Sequence, residues 1–90
     1  MTSIQARHIL VETEAAATQI YQEIIEGTSF DDLANTHSKC PSGQSGGSLG
    51  TFDRGQMVKP FEDAAYALDV GSYSKPVETQ FGWHVIQRTG

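Results

Sequence analysis

Ser38 to Gly50 reads SKCPSGQSGGSLG, and whether this glycine-, serine- and proline-rich stretch is a linker or a loop decides the fold. A chain of 90 residues has no separate domains to link. Apolar residues also resume at once, with Leu49, Phe52, Met57, Val58 and Phe61. The stretch is therefore expected to be an irregular loop inside a single domain spanning residues 1–90. Long loops within compact domains are more often functional than idle.

Upstream of the loop, ARHILV (residues 6–11) reads as a short strand, with His8 and Leu10 on one face and Ile9 and Val11 on the other. Ala17, Ile20, Tyr21, Ile24 and Ile25 then recur at helical spacing as one apolar stripe. Thr13 is placed to cap this helix, Glu14 suits the positive end of its dipole, and Gly27 ends it. A shorter helix begins at Ser29, which with Asp32 forms a variant capping box ahead of Phe30, Leu33 and Ala34.

Downstream, Pro60 sits where a helix can open, since its missing N–H costs nothing in the first turn. Phe61, Ala64, Ala65 and Leu68 form the inward stripe, and Gly71 lies just past the end. Two extended pieces close the chain, one around Tyr73 to Glu78 and one at Trp83 to Arg88, joined by the turn Gln80-Phe81-Gly82. In the last strand Trp83, Val85 and Gln87 face one way, and His84 and Ile86 the other. The order of strand, helices, loop, strand, helix, strand, strand describes an α+β domain around a small sheet.

Hydrophobic residues at 38% and charged residues at 19% suit a soluble globular domain rather than a disordered one. The apolar runs are too short to cross a bilayer, and no basic segment followed by an apolar stretch opens the chain. Neither a membrane partner nor a secretion signal is expected. The formal net charge is −5, and Arg7, Lys39, Arg54, Lys59, Lys75 and Arg88 do not cluster, which argues against nucleic acid as a partner. A single cysteine allows no internal disulfide and suits a reducing compartment, so a cytoplasmic location is expected. A monomer is expected for lack of a spare apolar stripe, and Met1 favours a complete chain.

Three fragments occur in order over nearly the whole length. They are His8-Ile9-Leu10-Val11; then Gly46-Gly47-Ser48-Leu49-Gly50-Thr51-Phe52 with Arg54-Gly55-Gln56-Met57-Val58 and Pro60-Phe61; and finally Pro76-Val77 with Phe81-Gly82-Trp83-His84-Val85-Ile86. Together they resemble the parvulin-type peptidyl-prolyl cis/trans isomerases. The resemblance implies an FKBP-like, four-stranded antiparallel sheet surrounded by about four helices. It also implies that the first and last strands lie side by side, bringing His8 and His84 together. The activity implied is acceleration of X–Pro rotation in extended or unfolded polypeptides, assisting protein folding.

That rotation crosses a barrier of about 20 kcal/mol set by amide resonance. It makes and breaks no bond, so no cofactor or metal is expected. A catalyst needs an apolar slot for the proline ring and surroundings that favour the twisted amide over the planar, charge-separated one. The resemblance places Leu49, Met57, Phe61 and Phe81 in that slot, whereas spacing alone puts Phe61 in the helix's buried stripe. It makes His8 and His84 a pair that organises a hydrogen-bond network beneath the slot. Thr79 and Ser38 are lesser candidates for the same network. Cys40 stands where the family carries Cys or Asp, which suggests that a polar group tuning the network suffices there. His37 and Cys40 make a His-x-x-Cys pair, but one pair without a second does not make a zinc site.

Phosphate-reading parvulins carry basic residues between the first strand and first helix, where this chain has Glu12-Thr13-Glu14. A substrate with a bulky apolar residue before proline is expected instead, helped by Leu49 and Phe81 at the mouth, with basic peptides favoured over acidic ones. Two other readings compete: a catalytically silent module that holds proline-containing segments, and a thiol enzyme built on Cys40 and a histidine.

Overall fold

The structure, a computed structural model, describes residues 3–90; Met1, and with it the expectation of a complete chain, lies outside them. Alternation of Ile4, Ala6, His8 and Leu10 with Gln5, Arg7, Ile9 and Val11 builds strand β1, Ile4–Val11. It starts earlier than its own pattern suggests because Ile4 pairs with Phe52 of the neighbouring strand. Helices α1 (Glu14–Ile25) and α2 (Phe30–His37) follow, then β2 (Ser48–Phe52), α3 (Lys59–Ala67), β3 (Val77–Thr79) and β4 (Gly82–Arg88). All strand pairings are antiparallel, in the order β2-β1-β4-β3, so the first and last strands are neighbours at the centre of the sheet.

The helices begin as their caps dictate. Thr13 Oγ1 accepts from the Ala16 N–H at 3.1 Å, and Ser29 Oγ from the Asp32 N–H at 3.4 Å. One face of the sheet buries Ile9, Val11 and Val85 against Ala17, Ile20 and Leu33 of α1 and α2. The other buries Ile4, Ala6 and Ile86 against Phe52, Phe61 and Ala65. This second face, covered by α3, also carries His8 and His84.

Local pattern misleads at four places. Ile25 is 59% exposed, because the face of α1 that meets the sheet is the narrower one of Ala17, Ile20 and Ile24. The stretch after Ser38 is not wholly irregular. Pro41 starts a 3-10 turn over Pro41–Ser45, closed by Gly43 N–H to Cys40 O at 2.9 Å and Gly46 N–H to Gly43 O at 3.2 Å. Its last residues, Ser48 to Gly50, already belong to β2. Helix α3 stops at Ala67, and Leu68 turns extended while still packing into the core. Of the expected extended piece from Tyr73, a single bridge to Gln87 and the short β3 are paired with β4. Between them Ser74 exchanges bonds with Ile86, through its own N–H at 2.7 Å and its hydroxyl at 3.0 Å.

Candidate active site

Adjacent strands with a side-chain period of two place diagonal neighbours on one face. Leu10 pairs with His84 and His8 with Ile86, so the two histidines meet across β1 and β4. Their Nδ1 atoms are 2.8 Å apart and their rings stack at 5.0 Å. His84 Nε2 lies 2.7 Å from Thr79 Oγ1, which also accepts the Phe81 N–H at 3.1 Å. Phe61 sets its ring at a steep angle to both imidazoles, with centroids at 5.5 and 5.2 Å. Among the described residues His8 Nε2 is the buried side-chain polar atom left without a hydrogen-bond partner.

Burial holds both imidazoles neutral. It lowers each pKa from 6.5 to about 4, and for His8 the neighbouring His84 adds to the effect. Two neutral rings sharing an Nδ1–Nδ1 contact must present one N–H and one lone pair, which fixes complementary tautomers. The linkage has a definite sign. These pKa values are depressed below the unfolded value, so the unfolded chain binds more protons between pH 6.5 and 4, and stability is lost as pH falls through that window. The midpoint of chemical denaturation is expected to fall steadily from pH 6.5 to 5. A flat profile there would show that the pair is not held neutral by burial.

Above the histidines opens a cavity of about 450 Å³, within the usual size range for ligand sites. Phe61, His8 and His84 form its floor; Leu49, Met57 and Val58 form one wall; Leu10, Cys40 and Pro41 line the other side. Phe61 is buried, whereas Phe81 stands 62% exposed at the mouth. The four residues expected to grip a proline ring thus share one cavity, and Cys40 borders it too. Thr79 joins the pair through His84 and does not itself line the cavity. A groove of about 420 Å³ between the start of α1 and the end of α2 is lined by Val11, Ala16 and Ile20 together with Glu12, Gln19 and Glu23, and holds neither paired histidine. The apolar cavity is the better candidate.

Two expected placements change. Ser38 does not join the histidine network: its Oγ accepts the N–H groups of Leu10 at 3.1 Å and Cys40 at 3.3 Å, tying the loop to β1. Cys40 Sγ accepts from the Ser42 hydroxyl at 3.2 Å, and among the described residues no histidine nitrogen hydrogen-bonds it. A nucleophile without a base beside it is poor ground for covalent chemistry. His37 is exposed at the end of α2 and lines the groove beside α1, not the cavity that Cys40 borders.

Sequence reasoning missed Gln56, Val58, Leu10, Lys39 and Pro41 among the lining residues. Leu10 was foreshadowed by sharing a strand face with His8. Gln56 carried no local signal; its Oε1 accepts the Asp53 N–H at 2.7 Å, which leaves its NH₂ as a donor at the rim. Among the described residues Lys39 is the one lysine or arginine lining the cavity. Arg7 is engaged by Asp31 and Gln87, and Arg54 by Glu62.

The site can therefore bind an apolar ring over a neutral, poorly solvated floor with a polar rim. The family model for rotamases, the PPIC-type PPIase domain, matches residues 5–90. The chain is 48% identical over 87 residues to foldase protein PrsA 1 of Bacillus cereus, covering 96% of this chain and 30% of that protein. It is 44% identical over 90 residues to the peptidyl-prolyl cis-trans isomerase Pin1 of Arabidopsis thaliana, covering 94% of this chain and 76% of the relative. The solution structure of NmPin, the parvulin of Nitrosopumilus maritimus, superposes with a TM-score of 0.89 at 42% identity, covering 100% of this chain and 98% of NmPin. The chain thus spans less than a third of the foldase and nearly all of the small parvulin.

Proposed function

Since the chain belongs to the PPIC-type peptidyl-prolyl cis/trans isomerase family, we propose that its apolar cavity turns over X–Pro bonds in extended or unfolded polypeptides without phosphate recognition. The observation that carries this reading is the stack of neutral His8 and His84 beneath an apolar cavity walled by Met57 and Leu49.

A planar amide is charge-separated and draws stabilisation from a polar solvent. Moving it onto a dry, uncharged floor withdraws that stabilisation and leaves the twisted form relatively favoured. Gln56, with its NH₂ at the rim, supplies a donor for a substrate carbonyl. No nucleophile is needed, which agrees with Cys40 bonding to a serine hydroxyl rather than to a base.

Phosphate recognition draws on clustered arginines, yet among the described residues Lys39 is the one lysine or arginine that lines the cavity, and Arg7 and Arg54 are engaged elsewhere. The acidic Glu12 and Glu14 flank the start of α1. Leu49 and the exposed Phe81 offer apolar surface to the residue before proline. A protease-coupled assay on Leu-Pro, Glu-Pro and phosphoserine-Pro peptides is expected to show the highest kcat/KM for Leu-Pro, by about tenfold or more, in line with the value of one well-buried apolar side chain. Preference for phosphoserine would overturn the substrate assignment. The free, partly exposed thiol of Cys40 supports a reducing compartment such as the cytoplasm, and a monomeric domain suffices for this chemistry.

A further inference from the structure

Glu62 is a carboxylate at a position where α3 is buried: the residue is 5% exposed, next in sequence to Phe61 on the cavity floor. Withdrawing a carboxylate from water is costly unless it is well paired. Its Oε1 accepts the Gly55 N–H at 2.6 Å, and its Oε2 meets Arg54 Nη1 at 3.0 Å. Arg54 is itself 58% exposed on its side chain, approaches Asp63 at 3.8 Å and lies 4.2 Å over the Tyr66 ring. A pair with so exposed a cation recovers little stability. Stability alone does not account for the charge.

Position does. Both contacts fall on the turn 53–57, which delivers Gln56 and Met57 to the cavity. The turn's own bonds are Asp53 N–H to Gln56 Oε1 at 2.7 Å and a long Gln56 N–H to Asp53 O at 3.4 Å. We infer that Glu62 is a positioning residue: its buried carboxylate anchors the turn to the helix that carries Phe61, and so sets the spacing between Met57 and the floor of the cavity. This rests on the isomerase reading above.

The test compares wild type, Glu62→Gln, Glu62→Leu, Met57→Ala and the Glu62→Leu/Met57→Ala double variant on one Leu-Pro peptide. Glu62→Leu keeps apolar bulk on α3 and is expected to stay folded while losing about tenfold in kcat/KM, a sub-ångström misplacement being enough. Glu62→Gln, which retains an acceptor for Gly55, is expected to keep activity within about threefold of wild type. In the Met57→Ala background the further loss from Glu62→Leu is expected to shrink to about twofold or less, because the two changes act through one side chain. Equal losses in both backgrounds, or no loss at all, would overturn the assignment.

Should Glu62→Leu not fold, the amide exchange rate of Gly55 in Glu62→Asp decides, because that carboxylate falls one methylene short of the Gly55 N–H. Exchange severalfold faster than wild type supports the anchor, and unchanged exchange overturns it. A wild type that fails to isomerise the peptide would instead sink the reading of the cavity, while Gly55 exchange, which needs no substrate, still reports on the anchor.

Discussion

Gly47→Ala is expected to destabilise the fold by about 3 kcal/mol or more, a large share of what a small domain has. Gly47 has φ +83°, in the region that L side chains rarely adopt, and an added Cβ would lie 2.2 Å from the carbonyl oxygen of His8. That oxygen belongs to a strand paired on both sides, so it cannot step aside without disturbing β2 or β4. The Gly47 carbonyl also accepts the His8 N–H at 2.9 Å, so any shift is transmitted to the histidine under the cavity. Gly50→Ala is the control. Its φ is also positive, at +69°, but nothing lies within 4 Å of the added carbon, so only about 1 kcal/mol is expected. Denaturant midpoints measure both, and equal losses in the two variants would show that the contact with His8 is not what matters.

Met57→Ala is expected to remove about 10- to 100-fold of kcat/KM while leaving the thermal midpoint within a few degrees. The side chain is half-buried on the cavity wall and packs against the α3-side core from its edge, so its loss opens the slot more than it voids the core. Burying a methionine side chain is worth about 1.5–3 kcal/mol. Spent on the twisted amide, that corresponds to the stated range of rate. Methionine's flexible thioether also moulds to the puckered ring, which a shorter residue does not replace. Retention of activity within about threefold would place the proline ring elsewhere.

Much of this was legible in the residues, and the gaps have physical causes. Period-two alternation put His8 with Leu10 and His84 with Ile86, which are the faces they take. No local pattern says which strands are neighbours, so the meeting of the histidines rested on resemblance. The turn after Cys40 was hidden because glycine and serine carry little directional signal. Its form comes from Pro41 and from the docking of Gly47 on β1. Gln56 and Glu62 were missed for a related reason. A charged residue beside a helical stripe reads as solvated, and the groups that bury Glu62 come from a turn upstream of its helix. Ile25 erred the other way, since an apolar stripe marks what can be buried and not how much of it the sheet covers; Leu68 packs into the core as its stripe implies, but from just past the end of α3.

The fold explains why the site sits where it does. The two central strands supply the histidines, α3 supplies Phe61, and the β3–β4 turn brings Thr79 and Phe81 up to His84. Strands and α3 thus hold the floor, while the turn 53–57 and the loop bearing Cys40, together with Leu49 of β2 and Leu10 of β1, form the walls. The most direct test is exchange spectroscopy on a Leu-Pro peptide mixed with wild type or with Met57→Ala. Cis–trans exchange accelerated by wild type and largely lost in the variant, with peptide-induced shifts centred on Leu49, Met57 and Phe81, is the predicted result. Peptide binding at those residues without faster exchange would contradict the account and leave a module that holds proline segments without turning them over.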